Sequence, residues 1–245
     1  MTDRDARLPL ISLIPNMVTI LGLSAGLTSI RFSLDASLTL AAGLLVLAAL
    51  IDGMDGFVAR KLNAASPFGA ELDSLSDFVC FGVAPALLIY RFGLDGLAGL
   101  GWLAALALAI CCCLRLARFN VMDKDPSADT KSHFVGVPAP AGAMLALFPV
   151  FLFLSGILDL HDAPIAVAAW TVFVGVLMIA PFRTMSLKSM RISRSNAVYV
   201  LVAAALVVGL MLTRLWLFCV GATVVYLGLL AWGAARDVLR RRRGV

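Results

Sequence analysis

Long apolar runs broken by short polar connections recur along the whole chain, at about 15–32, 36–59, 71–91, 96–118, 137–158, 163–182, 196–213 and 215–234. With some tolerance for polar ends, each is long enough to cross the roughly 30 Å hydrocarbon layer of a bilayer. Only helices and closed barrels satisfy the backbone inside lipid, and these runs are too long for barrel strands. The pattern therefore predicts an all-α, polytopic membrane bundle of about eight transmembrane helices. One membrane domain fills residues 1–245, with an N-terminal segment at 1–14 and a basic tail at 235–245. No internal repeat stands out, and the longest polar stretch, MDKDPSADTKSHF at 122–134, reads as a loop between the fourth and fifth helices.

Basic residues orient the bundle. If both termini share one side, that side collects every Lys and Arg except Arg31, Arg91 and Arg214. Positive charge collects on the cytoplasmic side of membrane proteins, which predicts cytoplasmic termini in a cell membrane. Composition agrees: the chain is 61% hydrophobic and only 14% charged, with a mean hydropathy of +0.97, whereas soluble domains carry about a quarter charged residues. The net charge of +5 then speaks for topology and anionic lipid, and no basic patch interleaved with aromatics suggests nucleic acid. Arg183, Lys188, Arg191 and Arg194, and the run Arg240 to Arg243, read the same way. The first residues, MTDRDARLPLIS, lack the pattern of a cleaved signal peptide, so the first helix is expected to be retained. Cys80, Cys111, Cys112, Cys113 and Cys219 lie in apolar runs without metal or redox spacing and read as buried small hydrophobes. His133 and His161 are far apart and read as loop residues.

Candidate chemistry concentrates in one place. IDGMDGFVARKLNAASPFGAELDSLSDF, residues 51–78, holds Asp52, Asp55, Glu71, Asp73 and Asp77 in a chain with 15 acids. Asp52 and Asp55 are three apart at the end of the second apolar run, and Asp73 and Asp77 four apart at the start of the third, so each pair shares a helix face. Four carboxylates converging at a lipid boundary repel one another unless cations neutralise them, and hard divalent ions take oxygen ligands. A two-metal centre of Mg²⁺ or Mn²⁺ follows, able to hold a pyrophosphate and leave one carboxylate to activate a nucleophile. Gly56 and Gly69 remove side chains where a phosphate or nucleotide would approach the backbone, and Arg60 offers a fork of donors to a phosphate. The plainer account of Asp73 and Asp77, near a helix start, is the capping and dipole preference of acids there. It does not account for Asp52, which lies inside an apolar helix where an ionisable side chain is costly.

These residues carry a resemblance. Asp52, Asp55, Gly56, Ala59, Arg60, Gly69, Asp73 and Asp77 match, at every defined position, the pattern D-x2-D-G-x2-A-R-x8-G-x3-D-x3-D of the CDP-alcohol phosphatidyltransferase family. The resemblance implies displacement of CMP from a CDP-linked lipid by an alcohol hydroxyl, four aspartates sharing two divalent metals, and Asp77 as general base. It also implies that Gly56, Ala59, Arg60 and Gly69 line the nucleotide and diphosphate site, and that the enzyme is a homodimer. PNMVT at 15–19, DSLSDFVCFGVAPA at 73–86, RLARFN at 115–120 and FVGVPAPAGA at 134–143 resemble the phosphatidylserine synthase branch, with Cys80 where Ser is common. That branch implies CDP-diacylglycerol as donor and L-serine as acceptor.

Read as residues, these segments allow more than one role. Asn16 and Thr19 can hydrogen-bond a cytosine edge, or simply follow Pro15 in an ordinary helix start. Arg115 and Arg118 suit a phosphate or carboxylate, or snorkel to the headgroups. Pro138 and Pro140 set the entry to the fifth helix, where small residues allow close packing. Two rival functions remain: the same chemistry on glycerol 3-phosphate or an inositol compound, and a cation transporter, against which stands the gathering of the acids at one boundary rather than at the midplane between repeats.

Overall fold

The computed structural model describes residues 13–62, 66–123, 136–180 and 197–242; within its helices, the side chains of residues 55, 58–60, 123, 197–204, 234 and 237–242 lie outside the described ones. The described residues are helical apart from short connections, as the apolar pattern predicts. The helices are α1 (Ile14–Leu34), α2 (Leu38–Lys61), α3 (Pro67–Asp77), α4 (Ala84–Ile89), α5 (Gly99–Asp123), α6 (Ala139–Ala146), α7 (Phe148–Leu154), α8 (Pro164–Ile179), α9 (Ala197–Thr213) and α10 (Leu215–Arg242). Four stretches are long and apolar enough to cross a bilayer: Ile14–Leu34, Pro67–Leu97, Gly99–Met122 and Leu215–Gly233. Leu38–Met54 and Pro164–Ile179 are shorter apolar helices. The loop residues Lys124, Lys131, His133, Arg183, Lys188, Arg191 and Arg194 lie outside the described ones, as do Arg4 and Arg7.

Two departures from uninterrupted helices have visible causes. The third span runs from Pro67 to Leu97 but widens into a π-helical turn over Phe78–Val83, where the Ala84 N–H reaches the Val79 carbonyl. Pro85 follows at once; a proline inside a helix lacks a donor and crowds the carbonyl four residues back, and a widened turn makes room for it. The fifth predicted stretch, 137–158, is two helices that meet at Leu147, with Pro149 in the first turn of α7. Pro67 opens α3 in the usual N-terminal place, with the Ser66 hydroxyl accepting from the Gly69 N–H at 3.0 Å.

The core sits where α1, α2, the third span, α5 and α6 meet, and holds Leu45, Phe81, Leu88, Phe92, Leu108, Leu145 and Phe151. Outward, Leu21, Leu103, Leu206, Leu212 and Val225 are exposed, the inverted surface of a protein solvated by lipid tails. Small residues allow the inner helices to approach closely. The Ser29 hydroxyl of α1 donates to the Ala41 carbonyl of α2 at 2.8 Å, and a methyl group on Gly26 would lie 2.6 Å from Cys80 Sγ and 3.3 Å from its Cα. Gly26→Ala will therefore cost about 1–3 kcal/mol through overpacking, read as a lower thermal midpoint in detergent. Cys80→Ala in the same chain will recover most of it, because the thiol is the nearest obstruction.

Cys80, Cys112 and Cys219 are buried, as expected, but Cys113 is exposed and lines an apolar groove with Phe78, Trp102 and Leu106. His161 is tied into the α7–α8 connection, its ring 4.3 Å from that of Phe92 and its Nδ1 2.8 Å from Asp159 Oδ1. The Asp159 carboxyl is held below the usual carboxylate range, first by the His161 backbone N–H and then by the ring.

Candidate active site

Three of the four predicted aspartates come together. One carboxylate oxygen from each of Asp52, Asp73 and Asp77 lies within 4.8 Å of the others, and all three residues are half-buried. Asp52 comes from the C-terminal half of α2 and the other two from one face of α3. The donor set fits a hard divalent cation: three oxygens already close enough to be drawn onto one ion, with no soft ligand among them. Asp55 lies on the same helix, one turn past Asp52; its side chain, with those of Ala59 and Arg60, lies outside the described ones.

The floor beneath the acids is formed by Thr19, Gly22, Ala48, Ser76, Cys80 and Phe81, all buried. Its polar atoms face backbone oxygens. Thr19 Oγ1 donates to the Pro15 carbonyl at 3.1 Å, Ser76 Oγ to the Thr19 carbonyl at 3.5 Å, and Cys80 Sγ to the Gly22 carbonyl at 3.4 Å. The last two of these bonds fasten α3 and the turn that follows it to α1 and so fix the direction in which Asp73 and Asp77 emerge.

The structure also joins segments that are remote in sequence. A methyl group at Gly69 would lie 2.8 Å from Asn16 Oδ1, so PNMVT meets the first turn of α3 beside the acids, and Gly69 is small because a side chain already occupies the space in front of it. Gly56 is half-buried in the last turns of α2. Arg115 lies across the cluster on α5, within electrostatic range of Asp77 and of Tyr226 from α10. Its Nε is buried without a hydrogen-bond partner among the described residues. Arg118, three residues on, is exposed. Sequence reasoning passed over Ser74, Ser76, Asn120 and Tyr226; single hydroxyls and amides on apolar helices give no signal until the partner helix is known.

Fold and site define an all-helical protein, with helices long and apolar enough to cross a membrane, that gathers an acidic cluster able to hold a cation between α2 and α3. The chain belongs to the CDP-alcohol phosphatidyltransferase family, whose model matches residues 12–180. Proteins named CDP-diacylglycerol–serine O-phosphatidyltransferase are similar to it. The one from Mycobacterium leprae is 47% identical over 143 residues, 58% of this chain and 47% of that protein. The one from Helicobacter pylori is 32% identical over 225 residues, 90% of this chain and 91% of that protein. An archaetidylserine synthase from Methanothermobacter thermautotrophicus is 40% identical over 133 residues, 54% of each chain. The chain thus spans about half the length of the mycobacterial relative it matches.

Proposed function

We propose that this chain transfers the phosphatidyl group of CDP-diacylglycerol to the hydroxyl of L-serine, giving phosphatidylserine and CMP at the cytoplasmic face of a cell membrane. The observation that carries the reading is the convergence of the Asp52, Asp73 and Asp77 oxygens within 4.8 Å, in a member of a family that handles CDP-linked lipids. Similarity to a synthase named for archaetidylserine supports serine as the acceptor. The reading includes eight transmembrane helices, both termini in the cytoplasm, and a homodimer.

Asp52, Asp55, Asp73 and Asp77 would hold two divalent ions, Mg²⁺ or Mn²⁺, which when bound would neutralise the diphosphate and the charge that develops on the departing CMP. Asn16, Thr19, Gly56, Ala59, Arg60 and Gly69 form the CDP side of the site, with Arg60 meeting a phosphate. Asp77 accepts the serine hydroxyl proton as that oxygen attacks the phosphorus next to diacylglycerol. One P–O bond forms, the bond to CMP breaks, and the proton passes from Asp77 to water. Arg115 and Arg118 are the cations on the acceptor side, of which half-buried Arg115 is the better placed.

The alcohol dependence of CMP release tests the reading. Purified protein with CDP-diacylglycerol and Mn²⁺ or Mg²⁺ is expected to release CMP with serine, and not with glycerol 3-phosphate or inositol phosphate. Release with either of those but not with serine overturns the acceptor. Divalent-ion flux in liposomes without any turnover of the CDP-lipid overturns the enzymatic reading itself.

A further inference from the structure

The two flanks of α3 differ in what they face. Successive helix positions turn by roughly 100°, so with Asp73 and Asp77 on one face, Ser76 lies to one side of them and Ser74 to the other. Ser76 points to α1, where it meets the Thr19 carbonyl. That is also the side on which Asn16 stands over Gly69, the CDP side of the proposed site. Ser74 points the opposite way, to α5, and its hydroxyl donates to Asn120 Oδ1 at 3.0 Å.

The geometry around α5 makes that second flank a place for a ligand. Near the bilayer interior, α5 packs tightly on the Phe78–Val83 turn, where a methyl on Gly82 would lie 3.2 Å from Cys112 Cβ. Past that contact, the last turns of α5 are tied to α3 through the Ser74–Asn120 bond. Arg115 carries a buried Nε with no hydrogen-bond partner among the described residues, within electrostatic range of Asp77. Asn120 has its oxygen engaged by Ser74, which fixes the amide plane and leaves the NH₂ group, two donors, on the far side of that oxygen. The two are five positions apart and so turned by about 140° around α5: the Asn120 amide is held over the Ser74 flank and the Arg115 guanidinium comes within range of Asp77, two donor groups that approach the α3 flank from different sides and are distinct from the cation-binding acids.

Resting on the reading above, we propose that Asn120 is a specificity-determining residue that donates to the carboxylate of an amino-acid alcohol, together with Arg115, and that Ser74 is the positioning residue that orients the Asn120 amide. The acceptor thus enters between α3 and α5, while the CDP moiety lies between α1, α2 and α3. Its carboxylate is read on α5 and its hydroxyl reaches Asp77.

The test measures CMP release by purified protein against serine at saturating CDP-diacylglycerol, and against CDP-diacylglycerol at saturating serine. Asn120→Ala is expected to raise the KM for serine about tenfold or more and to leave the KM for CDP-diacylglycerol within about twofold. Ser74→Ala is expected to raise the serine KM about threefold to fivefold, and Ser74→Thr, which keeps the hydroxyl, to restore it. Asn120→Asp keeps an oxygen for Ser74 but replaces the donors with a negative charge. It is expected to be worse than Asn120→Ala toward serine and no worse toward serinol, the analogue without a carboxylate. Thermal midpoints in detergent accompany each variant. A serine KM unchanged in Asn120→Ala overturns the proposal, and so do equal rises in both KM values with a lowered midpoint. If the unaltered protein releases no CMP when serine is added, the failure belongs to the functional reading and not to the role of Asn120.

Discussion

Asp52→Asn or Asp73→Asn will abolish serine-dependent CMP release, with a fall of at least about 10³-fold. Each carboxylate supplies an oxygen to a cluster spanning no more than 4.8 Å, and metal-ion stabilisation of a developing phosphate charge is worth several kcal/mol, each 1.4 kcal/mol being about tenfold in rate. An amide keeps the shape and one oxygen but removes the negative charge that offsets the cation. The same variants will bind Mn²⁺ more weakly, as measured by calorimetric titration in detergent. Metal-dependent turnover at the unaltered level in either variant would falsify the ligand assignment. Because Asp52 sits on α2 and Asp73 on α3, losses in both variants also report that the site needs the two helices together.

Asp77→Asn is expected to act on chemistry more than on binding. A positioned general base contributes about 10²–10⁴-fold, so kcat should fall by that factor while the Kd for CDP-diacylglycerol changes less than about tenfold. Asp77 contributes an oxygen to the cluster, so Mn²⁺ affinity must be measured on the same preparation. A kcat within tenfold of the unaltered protein removes Asp77 from the proton-transfer role. A collapse of CDP-lipid binding and metal binding in parallel with kcat would assign it to the ion alone.

The helices and the acidic centre were both legible in the sequence, for different reasons. Apolar runs of this length have no other use in a chain of +0.97 mean hydropathy, and helices occupy each of the predicted stretches. The spacing of Asp73 and Asp77 alone puts them on one helix face, and their convergence with Asp52 followed from the shortness of the connecting loop. What escaped was everything that depends on how one helix leans on another. The Pro85 ring was visible in the sequence, yet its effect, a widened turn immediately after Asp77, depends on the carbonyl it would otherwise strike. Pro149 marks the break at Leu147 in the same way. The start of α3 at Pro67 rather than at residue 71 was signalled by Ser66 and Pro67, a cap and a first-turn proline. Ser74, Asn120 and Arg115 gain their meaning only from facing one another across α3 and α5.

The widened turn over Phe78–Val83 divides one span into two mechanical halves. Before it, α3 is keyed to α1 through Ser76, and the turn itself through Cys80, which holds the acids in the geometry an ion demands. Beyond it, α4 takes a different rotational phase and is almost wholly buried, packed against α1, α2, α5 and α6. Such a joint lets α4 keep the phase that its buried packing demands without twisting the carboxylates out of alignment.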